Sequence, residues 1–307
     1  MIVGKFMTKD IYFAGGCFWG TEHFFHNVTG VRAAVTGYAN GGTADPSYEQ
    51  VYTDTTGFAE TVKVTYNPDI VSLESLVDLY FCIIDPLSVN RQGEDAGTRY
   101  RTGVYYTDAA DLAQIEPVFK KVETSCGAPL AVELKPLENF YPAEEYHQGY
   151  LDKNPDGYCH IPRKAFAYLK LYQDIRFFLG DEPETLSRMA NISAFIKEQM
   201  PHHWVGFYIV KGQMLVLGPF QGPPACFTIP FGKGVCGTAW QRGVTVVVPD
   251  VEAFPGHIAC SSLTKSEIVV PVISSGEVTA VLDIDSVQPD AFDSTDVLWL
   301  EKIAALV

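Results

Sequence analysis

The chain has 307 residues, 47% of them apolar, 13% aromatic and 19% charged, with a net charge of −15 and seven cysteines. That length fits two domains better than one, the composition is globular, and the lack of an apolar run of about 20 residues excludes a membrane helix. The acidic balance without a basic stripe argues against nucleic acid as a partner, and an odd cysteine count in so long a chain argues against a disulfide framework. The first ten residues, MIVGKFMTKD, lack the features of a secretory signal, so a cytoplasmic address is expected. There is no C-x-x-C pair, and Cys159-His160 stand alone, so no metal is expected and reactive thiols are the leading use of the cysteines.

The apolar run Ile11, Tyr12, Phe13, Ala14 leads into Gly15-Gly16-Cys17-Phe18-Trp19-Gly20. A strand, a glycine turn and a helix beginning near Phe18 set Cys17 at a helix N-terminus, where free amides and the dipole favour thiolate. A buried structural cysteine in a glycine turn fits the same local pattern. Further on, the alternation in GFAETVKVTY reads as a strand over 60–66, with Glu60, Val62, Val64 and Tyr66 on one face. A carboxyl on that apolar face has its pKa raised by desolvation and serves as a proton donor; a strand-end Glu turned to solvent is the alternative. Residues 73–83 read as an amphipathic helix, and Cys82, in LYFCII, as core. The break between halves falls at Gly180 to Pro183, where glycine closes one helix and proline opens the next.

Four stretches of this half, GGCFWG, PSYEQVYTDTTGFAETV, IIDPLSVNRQGEDAGTRYRTGVYY and FYPAEEYHQGYLDKNPDGYC, together resemble the A-type peptide methionine sulfoxide reductases, which act on the S epimer. The resemblance implies that Cys17 attacks the sulfoxide sulfur, that Phe18 and Trp19 cage the substrate methyl group, and that Glu60 protonates the sulfoxide oxygen. It gives Tyr48 and Tyr100 hydrogen bonds to that oxygen, matches Asp85 of IIDP to an aspartate near the site, and makes Cys159 the thiol that resolves the sulfenic acid. Cys126 matches no required position, and Phe58 stands where many relatives have histidine, which bears on substrate preference.

The second half reads as a helix over 184–199, strands over 204–210, 214–218, 244–248, 267–273 and 278–284, and a closing helix over 294–307. In VTAVLDIDS the alternation points Asp283 and Asp285 the same way, and two such charges are unfavourable that close unless a cation sits between them. Glu267, across the hairpin turn, completes a cluster; a solvent-facing acidic strand is the alternative. The order and spacing of Cys226, Cys236 and Cys260 resemble the GAF-type free methionine-R-sulfoxide reductases and not ordinary GAF sensors. That likeness implies catalysis by Cys260, resolution by Cys226 with Cys236 as an additional thiol, an acidic site of Glu267, Asp283 and Asp285 for the substrate ammonium, and an aromatic wall of Trp204 and Tyr208.

Together the resemblances imply an α+β chain, a two-layer α/β reductase domain over 10–180 followed by a GAF-like domain with a central antiparallel sheet over 184–307. They imply no bound cofactor, oxidised proteins and free methionine sulfoxide as substrates, and thioredoxin, fed by NADPH, as external reductant. Two rival readings stand beside this one, a reductase joined to a ligand-sensing GAF module and a general thiol peroxidase or disulfide oxidoreductase. The missing C-x-x-C counts against the second.

Overall fold

In the computed structural model, which describes residues 7–258 and 261–307, apolar alternation has become strand in both halves. Packing divides the chain after Phe166 into two units. The first unit contains β1 (Lys9–Gly15), α1 (Phe18–His26), β2 (Val31–Ala39), α2 (Tyr48–Tyr52), β3 (Ala59–Tyr66) and α3 (Leu73–Tyr80). It continues with a short ladder of β4 (Arg91–Gln92) and β5 (Asp95–Ala96), then β6 (Thr102–Tyr106), α4 (Leu112–Cys126), β7 (Glu133–Pro136), β8 (Phe140–Pro142), α5 (Tyr150–Lys153) and the start of α6 (Arg163–Leu179). Six strands form one sheet in the order β7-β6-β1-β3-β2-β8, antiparallel except for β6 with β7.

Strand β1 lies inside this sheet and is covered on both faces, so its apolar run is continuous and not alternating. On one face Phe13 stacks on Phe25 of α1 at 4.5 Å and on Tyr80 of α3 at 5.1 Å. On the other, Tyr12 meets Phe140 edge-on at 5.1 Å. Helix α3 starts at the Ser72 cap and ends at Tyr80, short of the expected Ile83, because Cys82 and Ile83 turn back onto Leu79 and Tyr80 by shorter-range bonds. Cys82 is buried, in keeping with a core residue.

The second unit contains the rest of α6, α7 (Thr185–Gln199), β9 (Trp204–Lys211), β10 (Met214–Gln221), β11 (Thr228–Pro230), α8 (Gly234–Arg242), β12 (Val246–Val248), β13 (Ser266–Ser274), β14 (Glu277–Ser286) and α9 (Ser294–Ala304). Its sheet runs β11-β10-β9-β14-β13-β12, antiparallel throughout. Helix α8 covers one face, where Cys236 and Ala239 pack with Trp204, Tyr208, Val269 and Val281. The alternate residues Val205, Phe207, Ile268, Val270, Leu282 and Ile284 are buried on the other. The α+β architecture, a first unit built on a mixed sheet and a second with a central antiparallel sheet, is the one expected from sequence.

Gly180 ends α6 in the left-handed region, at φ +46°. Packing nevertheless divides earlier, inside α6, since Phe166 touches His23 and Phe24 whereas Tyr168 stacks on Trp299 with rings 5° from parallel and donates to Asp296 at 2.8 Å. Among the described residues no helix is long and apolar enough to cross a membrane. Trp299 is fully buried. Truncating it, Trp299→Ala, should cost about 3–5 kcal/mol, read as a lower urea midpoint of the second unit; an unchanged midpoint would show that this contact carries none of its stability.

Candidate active site

The turn before α1 is built by Gly16, at φ +80°, where an added Cβ would sit 2.6 Å from the Cβ of Gln92. Cys17 follows as the helix N-cap, so the helix start places its sulfur beside the first free amides. One of these, Phe18 N–H, donates to Glu60 Oε2 at 3.0 Å, and Trp19 N–H hydrogen-bonds the Cys17 thiol. Glu60 is 2% exposed on β3 with Val62, Val64 and Tyr66 likewise buried, so the carboxyl lies on the apolar face and not in solvent.

Burial pushes the Glu60 carboxyl up to about 8. The Phe18 amide and the Arg99 charge pull the other way, and Asp95 and Asp54 add to the rise. The expectation that the helix end leaves Cys17 as a thiolate is corrected here. The thiol is pushed well above its ordinary value, first by burial and next by the Glu60 charge, and the Trp19 amide does not offset them. A helix dipole contributes on the order of 1 kcal/mol, and desolvation of a buried group exceeds it.

Around this pair stands an aromatic wall. Phe18 is buried at 5.1 Å from His147, and Trp19 stacks on Tyr150 at 3.8 Å and donates its indole N–H to His147 Nδ1 at 3.1 Å. That bond leaves the His147 proton on Nε2, in a ring whose pKa burial lowers. Tyr48 packs on His147 at 4.6 Å, and burial followed by the charges of Glu60 and Cys17 raises its hydroxyl to about 12. Tyr100 is raised by burial and then by Glu60, beneath the Arg99 guanidinium at 4.4 Å. The structure therefore brings Cys17, Glu60, Trp19, Phe18, Tyr48 and Tyr100 together.

It does not bring Asp85. That side chain is exposed and accepts from Leu87 N–H at 3.0 Å, closing its own turn. The aspartate whose charge reaches Cys17, Cys159 and Glu60 is Asp95, ten residues on in QGEDAGTRY, and it accepts from Tyr158 at 2.9 Å. Sequence reading also passed over Glu144, which accepts from the Tyr38 hydroxyl and from Tyr48 N–H, each at 2.8 Å, and so fixes the start of α2. A carboxylate serving a helix start nearly 100 residues away leaves no local signal.

The second thiol lies close. A Cβ on Gly20 would be 2.9 Å from Cys159 Sγ, so this glycine is what lets the later segment rest on α1. Burial raises the Cys159 thiol, and His160 beside it is held neutral, lowered by burial to about 4. Cys17 and Cys159 are both free thiols, as is Cys126, half-buried at the end of α4. Phe58 is buried against Gly41 and edge-on to Tyr141 at 5.8 Å.

In the second unit strand register assembles the candidate site. Across β9, β14 and β13, Trp204 lies opposite Asp285 and Asp285 opposite Glu267, while Asp283 lies one step along opposite Gly206 and Val269. Residues paired in this way share a face, so all three acids meet α8, and each is under 9% exposed. Cys236 is a free buried thiol that donates to Glu267 Oε1 at 3.9 Å. Burial raises Asp283 to about 7, against hydrogen bonds with Cys236 and Glu267 that lower it, and lifts Glu267 and Asp285 well above the carboxylate range, both further raised by the Asp283 charge. A cavity of about 20 Å³ is lined by Cys236, His257, Thr264, Glu267, Asp283 and Asp285 with neighbouring residues. Trp204 stacks on Tyr208 at 6.0 Å, and Tyr208 donates to the Cys226 carbonyl at 3.1 Å. Cys226 is in a disulfide, and Cys260 lies outside the described residues.

A buried thiol beside a protonatable carboxyl, under an aromatic wall and within reach of a second thiol, defines a thiol-dependent oxidoreductase site. Residues 9–174 match the family model described as peptide methionine sulfoxide reductase, and this is more than half of the chain. The chain therefore belongs to the peptide methionine sulfoxide reductase family, and residues 181–307 match a GAF domain. A peptide methionine sulfoxide reductase MsrA of Clostridium acetobutylicum is 53% identical over 156 residues, 51% of this chain and 96% of that protein. One from Lachnoclostridium phytofermentans is 53% identical over 164 residues, 53% and 99% of the two chains. A solved free methionine-R-sulfoxide reductase from Neisseria meningitidis, in complex with its substrate, is 50% identical, covering 47% of this chain and 87% of that one with a TM-score of 0.46.

Since the Glu60 charge raises the Cys17 thiol, Glu60→Gln should shift the pH midpoint of Cys17 alkylation by iodoacetamide downward. A midpoint that stays or rises would show that the two groups do not interact.

Proposed function

We propose that residues 10–180 reduce methionine-S-sulfoxide, free and in peptides, and that residues 184–307 reduce free methionine-R-sulfoxide. The observation that carries the first part is the shared helix start, at which the Cys17 thiol and the Glu60 carboxyl meet adjacent amides. A sulfoxide sulfur is a poor electrophile until its oxygen gains a proton, so the chemistry needs a nucleophilic sulfur and a carboxylic acid converging on one centre.

Cys17 sulfur attacks the sulfoxide sulfur while Glu60 protonates its oxygen, with Tyr48 and Tyr100 as further hydrogen-bond donors. The oxygen passes to Cys17 as a sulfenic acid, methionine leaves, and the proton that Glu60 gives is replaced by the one that the thiol loses. Cys159 then attacks the sulfenic sulfur, forming a disulfide and releasing water. Thioredoxin, fed by NADPH, returns both cysteines to thiols. Here Asp95 takes the place first given to Asp85, holding Tyr158 next to Cys159.

For the second half, support comes from the row of buried acids, which can bind an ammonium that a residue inside a peptide does not offer. Cys260 is the proposed nucleophile and Cys226 its resolving partner, with Cys236 as the additional thiol and Trp204 and Tyr208 as the wall for the methyl group.

Two measurements test this. Glu60→Gln should slow the single-turnover burst of S-epimer reduction by about 10²–10⁴-fold with apparent affinity little changed; an unchanged burst would remove Glu60 from the chemistry. Cys17→Ser should abolish S-epimer reduction and keep turnover of free R epimer, and Cys260→Ser should do the reverse. R-epimer turnover undiminished in Cys260→Ser would leave the GAF domain as a ligand sensor.

A further inference from the structure

The buried acids of the second unit include a group that an ammonium does not call for. Ligand atoms of Cys236, Glu267 and Asp283 lie within 4.8 Å of one another, and the three residues are 3%, 6% and 7% exposed. Asp283 Oδ1 is buried at the cavity and accepts no hydrogen bond, and the same carboxyl lies beside the Cys236 thiol and Glu267. His257 lines the same cavity, its Nε2 at 3.7 Å from Glu267 Oε2. No lysine or arginine is among the described residues lining it. At about 20 Å³ the cavity has room for one ion or water in this conformation. An ammonium is satisfied by oxygens alone, whereas thiol, carboxylates and imidazole together make the mixed donor set that suits zinc, with bonds of about 2.0–2.3 Å.

We propose that this cavity binds a divalent cation of the zinc type through Cys236 Sγ, Glu267 and Asp283, with His257 on its open side, and that the cation and the substrate ammonium exclude one another. Coordination replaces the thiol proton and the protons held on Glu267 and Asp283, all of which leave to solvent; no electrons move. The exclusion rests on the R-epimer reading of these acids, and the binding does not. Zinc occupancy would then switch off the second activity and leave the first untouched.

The test uses the full chain, freed of metal by chelator and desalted. Titration with Co²⁺ should produce thiolate-to-cobalt absorption, and competition with a zinc indicator should show a matching Zn²⁺ site. Cys236→Ser should abolish the absorption, and Asp283→Asn or Glu267→Gln should weaken Zn²⁺ at least about tenfold, while Cys17→Ser and Cys226→Ser keep it. Absence of the absorption in the unsubstituted chain, or an affinity indifferent to Asp283→Asn, overturns the proposal whether or not the Cys236 variant folds. R-epimer turnover is read in parallel. Turnover in the metal-free chain that zinc does not inhibit overturns the exclusion. Zinc binding without any R-epimer turnover overturns the earlier reading of the acids and leaves the metal site standing.

Discussion

A carboxyl taken out of water must keep its proton or meet a positive charge, and both candidate sites are organised around that constraint. Glu60 in the first unit is raised to about 8 and Asp283 in the second to about 7, in each case chiefly by burial. The sign for stability follows. These groups hold protons in the folded chain that the unfolded chain releases near pH 4, so their contribution is fully present below pH 4 and is lost as pH rises through 7 and 8. A stable fold at neutral pH thus tolerates acids that it would hold more comfortably in acid, which is the usual mark of a site kept for chemistry and not for stability.

What lets each unit bury its acid is the pairing of a covered strand with a helix. In the first, β3 delivers Glu60 to the start of α1, whose amides have no partners within the helix, and a single N–H takes one carboxyl oxygen. In the second, β13 and β14 deliver three acids to α8, which answers with the Cys236 thiol. The aromatic walls follow the same logic. Trp19 is held by Tyr150 and His147, and Trp204 by Tyr208 and Phe220, so each wall is fixed by its own packing before any substrate arrives.

Much of this could be read from residue order. Period-2 alternation put Glu60, Asp283 and Asp285 on the correct faces because side-chain direction in a strand is a local property. Both faces of the second sheet proved to be covered, which alternation alone does not reveal. The helix after Gly16 was legible, yet the state of Cys17 was not, since it depends on how deeply later segments bury it. Asp85 and Asp95 sit in the same motif-rich stretch, and only the turn that Asp85 closes with Leu87 N–H separates the one spent on its own loop from the one facing the thiols. Glu144, His147 and the division of packing inside α6 are tertiary facts. Gly180 marks the end of a helix, but the helix belongs where Tyr168 finds Trp299.

The two sites answer the shared constraint differently, and the difference bears on what each accepts. Near Glu60 the opposing charge is the protein's own, Arg99, itself tied to Asp54 at 2.6 Å and laid over Tyr52 and Tyr100. Arg99 offsets part of the negative charge that Glu60, Asp95 and Asp54 bring, so on the proposed reading this site does not depend on a charge carried by the substrate. Around Asp283 the described lining supplies no lysine or arginine, and three acids share one cavity. Such a site holds its protons until something positive arrives, and a ligand that brings a charge gains what a neutral one cannot. On the proposed reading, that arithmetic confines the second activity to the free amino acid, and it makes the same cavity open to a metal cation that offers two charges in place of one.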